Sequence, residues 1–187
     1  MNIKQIIIDS LDKANREHDK ETDLKLIHRD RSKNFVESLA GILREHYKNS
    51  RNIFVLSKHS EHHQREFGLN ELLFDILVCE TKKVRSSHHK KVLTYITKAI
   101  WQIESEFARN SREALYDFNK LVLGASENKL FIGPQVSNQE GYLKTLEKPA
   151  SHCDSNTYVA LVPHPSDWKR KSLDVHLWKF RDGWEQV

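Results

Sequence analysis

Apolar and polar positions follow each other along the chain with two periods, one typical of helices and the other of strands. Residues 2–17 place an apolar side chain on one side at every third or fourth position, and residues 34–48 do the same, so both predict amphipathic helices. The mostly charged stretch 18–33 between them predicts a loop. We therefore expect two helices at the N-terminal end, separated by a polar connection.

Strands are predicted where short apolar runs are rich in β-branched and aromatic residues: 52–57, 72–79, 129–133 and 157–162. Residues 173–180 alternate between apolar and polar side chains, as is typical of an edge strand with one face in water. Residues 92–100 fit a helix and a strand equally well. They lead into an apolar run that carries acidic side chains.

Two more helices are predicted in the second half of the chain. Asn110-Ser111 offers an N-cap for a helix that continues to Leu123, and Gly124 ends that helix. A more polar helix is expected around 138–147.

The predicted elements follow the order helix–strand–strand–strand–helix–strand, with further helix and strand after it. This order predicts an α/β fold with a mixed central sheet flanked by helices. At 187 residues we expect a single domain with a sizeable core. Its N-terminal helices would occupy residues 1–50, and a C-terminal extension would occupy residues 134–187.

The composition of the chain excludes few kinds of binding partner. A net charge of +4 and 11 histidines favour a polyanionic partner. No apolar run approaches the roughly 18 residues of a membrane span, and we expect no membrane association. Cys79 and Cys153 lack the spacing of a disulfide framework, so two reduced thiols in a cytoplasmic protein are the expectation.

The candidate chemistry lies in acidic side chains placed within apolar runs. Glu104 and Glu106 are two positions apart, so in a strand they would point to the same face. Asp75 stands alone within the apolar run 72–79. Like charges in apolar surroundings are costly unless a cation compensates them, so the three carboxylates predict a site for a hard divalent metal ion.

These residues and the order of elements around them resemble the PD-(D/E)xK nuclease superfamily, which has the restriction-endonuclease-like fold. The resemblance covers about residues 34–133 and rests on Phe74-Asp75, on Glu104-Ser105-Glu106, and on the helix 111–123 with the strand 129–133 after it. It implies an αβββαβ core in which Asp75 and Glu104 bind Mg²⁺, or Mn²⁺ in its place. Glu106 occupies the position of the motif lysine, which helps to activate the attacking water.

The chain departs from that motif in two places. Phe74 replaces the proline, and Glu106 replaces the lysine, so water activation would use a carboxylate base or a second metal ion. The literal E-x-K sequence Glu80-Thr81-Lys82 is a second candidate. However, Asp75 and Glu80 are five positions apart and would point to opposite faces of one strand.

A lysine from elsewhere in the chain is the remaining alternative. Lys120 lies on the predicted helix nearly opposite Phe118, so we expect it to face solvent. Lys98 shares strand parity with Glu104 and has no better support.

Basic residues gather in two segments: Lys82, Lys83, Arg85, Lys90 and Lys91 in the first, and Lys169, Arg170 and Lys171 in the second. The first segment follows the strand that carries Asp75, so we expect it at the mouth of the site. Phosphate contacts by these residues would make nucleic-acid binding sensitive to salt. The histidines at 59, 62, 63, 88 and 89 lack zinc-site spacing and are expected to lie in solvated loops.

The sequence thus predicts a Mg²⁺-dependent endonuclease in which Asp75, Glu104 and Glu106 hold the metal and duplex DNA is the substrate. For a duplex cutter, the resemblance also implies a two-fold dimer with one site for each strand. A nucleic-acid-binding or scaffolding protein on the same fold is the alternative. A metal-dependent hydrolase of unrelated fold, and RNA in place of DNA, also stay open.

Overall fold

The computed structural model describes residues 1–16, 24–59, 67–68, 72–88, 90–168 and 173–187, with residues 24–26 described by their backbone alone. Four long helices occur in this part of the chain: α1 (Ile3–Arg16), α2 (Leu24–Tyr47), α3 (Ser111–Leu123) and α4 (Gln139–Ala150). A single 3-10 turn covers Pro165–Asp167. None of the helices in the described residues is long and apolar enough to cross a membrane.

Seven strands form one mixed sheet: β1 (Ile53–Ser57), β2 (Ile76–Arg85), β3 (Val92–Ser105), β4 (Asn128–Pro134), β5 (Asn156–Val162), β6 (His176–Phe180) and β7 (Trp184–Gln186). They lie side by side in chain order. The pairs β3–β4 and β4–β5 are parallel, while the other four pairs are antiparallel. The expected α/β class with a mixed sheet flanked by helices is therefore confirmed.

The helices cover the sheet on both faces. The buried side chains of α1 and α2, such as Ile7 and Leu39, pack on one face with Ile76 and Ile103. Those of α3 and α4 pack on the opposite face with Leu77, Cys79 and Phe131. Strand residues alternate between these two cores, as the period of two requires. The helices thus cover the faces of the sheet and not the ends of its strands.

Three sequence expectations differ from the structure. Residues 24–33 belong to the long helix α2 instead of a loop, and among its charged side chains Arg29 and Lys33 are exposed while Arg31 is buried; the rest of the expected loop, 18–23, lies outside the described residues. Strand β2 begins at Ile76, so Asp75 precedes it; Leu73 has a φ of +53°, which ends extended structure there. Strand β6 is not an edge strand, since β7 pairs with it on the outer side.

The hairpin of β2 and β3 extends beyond the rest of the sheet. β1 pairs with β2 only as far as Glu80, and β4 pairs with β3 only from Trp101 onward. Residues 82–95, which we call the arm, therefore form a two-stranded ribbon with its turn at 86–91. The side chains of 82–85 and of 92, 93 and 95 are exposed, so both faces of the ribbon are accessible.

Helix α3 offers a direct test of the packing. Phe118 is fully buried and its ring lies 5.6 Å from that of Phe131, whereas Tyr116 on the same helix is 53% exposed. We expect Phe118→Ala to lower the free energy of unfolding by about 3–5 kcal/mol. Tyr116→Ala should change it by less than about 1 kcal/mol. Urea denaturation measures both, and equal losses would contradict the placement of α3.

Candidate functional site

Asp75 and Glu104 lie side by side because β2 and β3 are antiparallel. Ile76 at the start of β2 pairs with Ile103 near the end of β3, so the residues just outside this pair meet. The backbone N–H of Asp75 donates a hydrogen bond to Oε1 of Glu104 at 3.2 Å. Oδ2 of Asp75 accepts hydrogen bonds from the backbone N and the Oγ of Ser105, at 3.0 and 2.7 Å. These bonds fix both carboxylates at one end of the hairpin.

Glu104 is the buried member of this pair, with only 1% of the residue exposed. It faces α3, where Nζ of Lys120 lies 3.1 Å from Oε2. Burial and the neighbouring charge of Asp75 raise the pKa of Glu104 to about 8, although Lys120 acts in the opposite direction. The pocket therefore holds more negative charge than its own ammonium group compensates.

The expectation that Lys120 faces solvent is wrong. Its helical position does point away from the buried stripe, but the four-carbon stem reaches back and places the ammonium group between Glu104 and Asp117. Burial lowers the pKa of Lys120, yet its hydrogen bond with Asp117 and the charge of Glu104 outweigh burial and raise that pKa above its ordinary value. Lys120 is therefore a permanent cation in the site.

Glu106 lies beyond the end of β3 and does not complete a compact group with the other two carboxylates. Its side chain accepts a hydrogen bond from the backbone N–H of Ala108 and contacts Asp117. Within the described part of the chain, no three His, Cys, Asp or Glu side chains are grouped closely enough to hold a metal ion. The expectation that Asp75, Glu104 and Glu106 share one ion therefore stays a prediction.

A cleft of about 520 Å³ opens onto this end of the hairpin. Asp75, Ser105 and Glu106 line it, so Asp75 and Glu106 face the same space. Basic side chains also line the cleft: Arg29 and Lys33 of α2, with Lys58 and His59 after β1. Nζ of Lys58 lies 3.7 Å from Oδ1 of Asp75. The lining of the cleft thus combines acidic and basic side chains.

Glu37 of α2 is a residue that the sequence analysis missed. Its carboxylate accepts hydrogen bonds from Oγ of Ser57 and from the backbone N–H of His59, both at 3.1 Å. Arg44 donates a hydrogen bond to the same Ser57 hydroxyl at 2.7 Å. Glu37 therefore holds the segment that carries Lys58 next to Asp75. A lone glutamate within a charged amphipathic helix provides no sequence signal for this role.

The donor set near Asp75 and Glu104 fits a hard cation. Mg²⁺ is commonly bound by one or two carboxylates, with water filling its other positions. Glu104 uses each oxygen for one hydrogen bond, and an ionised carboxylate oxygen has capacity for another ligand. Burial and the charge of Asp75 raise the pKa of Glu104, and a further positive charge here would favour the ionised carboxylate.

The other lysine candidates lie far from the carboxylate pair. Glu80 is exposed and pairs in register with Lys98, well along the hairpin from Asp75. Lys98 itself forms an ion pair with Glu127. Neither Glu80-Thr81-Lys82 nor Lys98 therefore replaces Lys120 in the structure.

The first basic segment does not lie at the mouth of the cleft, which corrects our expectation. Lys82, Lys83 and Arg85 belong to β2 itself, and Lys90 and Lys91 follow in the turn. Because Asp75 precedes the start of β2, these residues lie towards the opposite end of that strand. Lys169, Arg170 and Lys171 fall outside the described residues, as do the histidines at 62, 63 and 89.

Comparison with known proteins identified no relative of the chain. No family model matches the chain, and neither the curated proteins nor the solved structures include a significant match. The resemblance to the nuclease superfamily therefore rests on the residues of the chain and on their arrangement.

The raised pKa of Glu104 predicts how stability depends on pH when metal is chelated. The folded state holds the Glu104 proton up to about pH 8, whereas an unfolded glutamate releases it near pH 4.5. The free energy of unfolding of the wild type should therefore fall between about pH 4.5 and 8, relative to that of Glu104→Gln, because the amide side chain of Gln does not titrate.

Thermal unfolding in EDTA between pH 4 and 9 measures this difference, with Glu127→Gln at an exposed ion pair as the control. We expect the melting temperature of Glu104→Gln to exceed that of the wild type increasingly from pH 4.5 to 8. A lower melting temperature for Glu104→Gln at every pH would show that the carboxylate itself stabilises the fold.

Proposed function

We propose that the protein is a metal-dependent nuclease that hydrolyses phosphodiester bonds in DNA. The observation that carries this proposal is the group formed by Asp75, Glu104 and Lys120, where two adjacent carboxylates meet an ammonium group. A buried carboxylate beside a second one is costly for folding, and a metal-binding role gives a reason for the arrangement.

The order of elements from α2 to β4 also supports the proposal. This part of the chain runs α2–β1–β2–β3–α3–β4, the αβββαβ order that the sequence resemblance implies. We infer that it is a restriction-endonuclease-like core, with the acidic residues on the central hairpin β2–β3. Helix α1 and the strands β5–β7 would be additions to that core.

Asp75 and Glu104 would hold Mg²⁺ or Mn²⁺ between them. The ion, when bound, lowers the pKa of a coordinated water and stabilises negative charge on the scissile phosphate. Ser105 holds Asp75 in place through two hydrogen bonds, so the Asp75 oxygen on the side of Lys58 faces the cleft. Glu106 faces the same cleft and is the candidate base for the attacking water.

Lys120 fills the role of the motif lysine that is absent from position 106. Its ammonium group contacts Glu104 directly, and its pKa above the ordinary value keeps it charged. A permanent cation stabilises charge that develops on the phosphate and does not itself remove a proton. Asp117 fixes the ammonium group at 2.7 Å, so its position does not depend on the substrate.

The lining of the cleft suits a polyanionic substrate. Arg29, Lys33 and Lys58 line the cleft together with Asp75, so a phosphate in the cleft would meet cations as well as the carboxylate. Such contacts position a nucleic acid without reading its sequence. They also offset the repulsion between the substrate and the two carboxylates.

A non-catalytic nucleic-acid-binding protein is the second candidate function. It is favoured by the absence of a three-ligand metal group among the described residues and by the ion pair that already occupies Glu104. In this case Lys120 would serve as a structural partner of the carboxylates, and the cleft would bind phosphates without hydrolysis.

Cleavage assays with matched lysine variants separate the two functions. Plasmid, duplex DNA and RNA oligonucleotides are incubated with Mg²⁺, Mn²⁺ or EDTA. We expect cleavage by the wild type only with metal, and losses of at least about 100-fold in rate for Glu104→Gln and Lys120→Met. Lys98→Met, whose ammonium group pairs with Glu127 outside the cleft, should cleave at the wild-type rate.

The folded state of each variant is checked by circular dichroism, because Lys120→Met leaves Glu104 without its cation. Cleavage that persists in Glu104→Gln would exclude this site. Binding without cleavage under every metal condition would favour the second candidate function.

A further inference from the structure

The arm, residues 82–95, carries a concentration of positive charge. It contains five lysine and arginine residues, and no acidic residue occurs anywhere between Glu80 and Glu104. Because the whole chain has a net charge of +4, the residues outside the arm sum to −1. The positive character of the protein therefore comes from this ribbon.

The cations point to both faces of the arm. Lys82 pairs across the ribbon with Tyr95, and Lys83 pairs with Thr94 on the opposite face. Arg85 shares the second face with Val92. All three basic side chains are exposed. A surface surrounded by phosphates, such as the inside of a groove, would meet positive charge on either side of the ribbon.

Apolar side chains are interleaved with the cations. Val84, Val92, Leu93 and Tyr95 are between 44% and 62% exposed. Exposed apolar side chains at such density mark a contact surface, since an isolated two-stranded ribbon gains little from leaving them in water. Sugars and base edges offer apolar surface between the phosphates of a nucleic acid, and an aromatic ring such as that of Tyr95 packs against them.

We propose that the arm is a nucleic-acid-binding element that enters a groove of a duplex away from the cleft. A two-stranded β-ribbon has the dimensions that the DNA major groove admits. The charge of the arm is complementary to the phosphates on both walls of the groove, and its exposed apolar side chains lie on the same two faces as the cations. An acidic protein would satisfy the charges on one face only, and a second copy of the arm would place cation against cation.

The position of the arm sets the length of duplex that the protein covers. Lys82 lies seven residues and Arg85 ten residues beyond Asp75. At about 3.3 Å per strand residue these separations are roughly 23 and 33 Å. Base pairs rise about 3.4 Å each, so a duplex held by both the arm and the cleft extends over about 7 to 10 base pairs. This length rests on the proposed function, because it takes the cleft as the second contact; binding by the arm does not.

Binding to duplexes of graded length tests the proposal. Fluorescence anisotropy measures the affinity of the full chain carrying Glu104→Gln, in EDTA, for duplexes of 6, 10, 14 and 20 base pairs. The arm variant adds Lys82→Glu, Lys83→Glu and Arg85→Glu. A milder variant replaces the same residues with Gln in case the reversal disturbs folding. The control adds Lys13→Glu, Lys144→Glu and Lys148→Glu, which reverse three exposed lysines on α1 and α4.

We expect the affinity of the protein with the wild-type arm to rise steeply as the duplex lengthens from 6 to 14 base pairs. Both arm variants should lack this dependence on length. The slope of log affinity against log salt should fall by about 2.7, or roughly 0.9 for each of three phosphate contacts. The control should keep the length dependence and lose less than about threefold in affinity.

Equal effects of the arm and control variants would overturn the proposal. So would a change from dimer to monomer on light scattering, with duplex affinity unchanged, since that result assigns the arm to a second copy. Binding that depends on the arm, with no cleavage under any metal condition, would support the proposal for the arm and contradict the nuclease proposal.

Discussion

The antiparallel pairing of β2 with β3 determines where every candidate functional group lies. This register brings Asp75 against Glu104 at the open end of the hairpin, and it carries the cations of residues 82–95 to the closed end. The paired strands connect the two regions, with shifts of register at Val78/Cys79 and Glu80/Thr81. A shift of one residue would turn Glu104 into the α1–α2 core and remove it from Lys120. The alternating apolar residues on both faces of the strands prevent such a shift.

Charge compensation at Glu104 follows from that register. With 1% exposure, the carboxylate has almost no access to water, and its partners are the backbone N–H of Asp75 and the ammonium group of Lys120. Asp75 adds a second negative charge, and the raised pKa of Glu104 shows that Lys120 alone does not compensate both. The unfavourable charge is tolerated because the surrounding sheet and α3 are tightly packed. A bound cation would convert this cost into binding energy.

Much of the fold was predictable from the period of the apolar residues. Helix α3 and its Asn110 cap agree with the sequence expectation, and Asn110 accepts a hydrogen bond from the backbone N–H of Glu113. The start of β2 was not predictable, since Leu72, Leu73 and Phe74 continue the apolar run. Only the positive φ of Leu73 ends it, and a positive φ in a leucine has no sequence signal. The start of α2 was likewise not predictable, because its charged residues are equally typical of a loop.

The acidic residues of the candidate site were predictable from the sequence, whereas its cation, Lys120, was not. Parity placed Glu104 on the side of the strand away from Ile103, and the apolar context marked Asp75. A helical wheel describes where Cα–Cβ bonds point, however, and a lysine stem of four carbons extends beyond that direction. Lys120 reaches Glu104 because α3 crosses the sheet directly above the end of β3. That crossing depends on the pairing of β4 with β3, which only the folded chain reveals. A long side chain at the margin of a buried helical face therefore has to be judged against the opposite layer as well as its own helix.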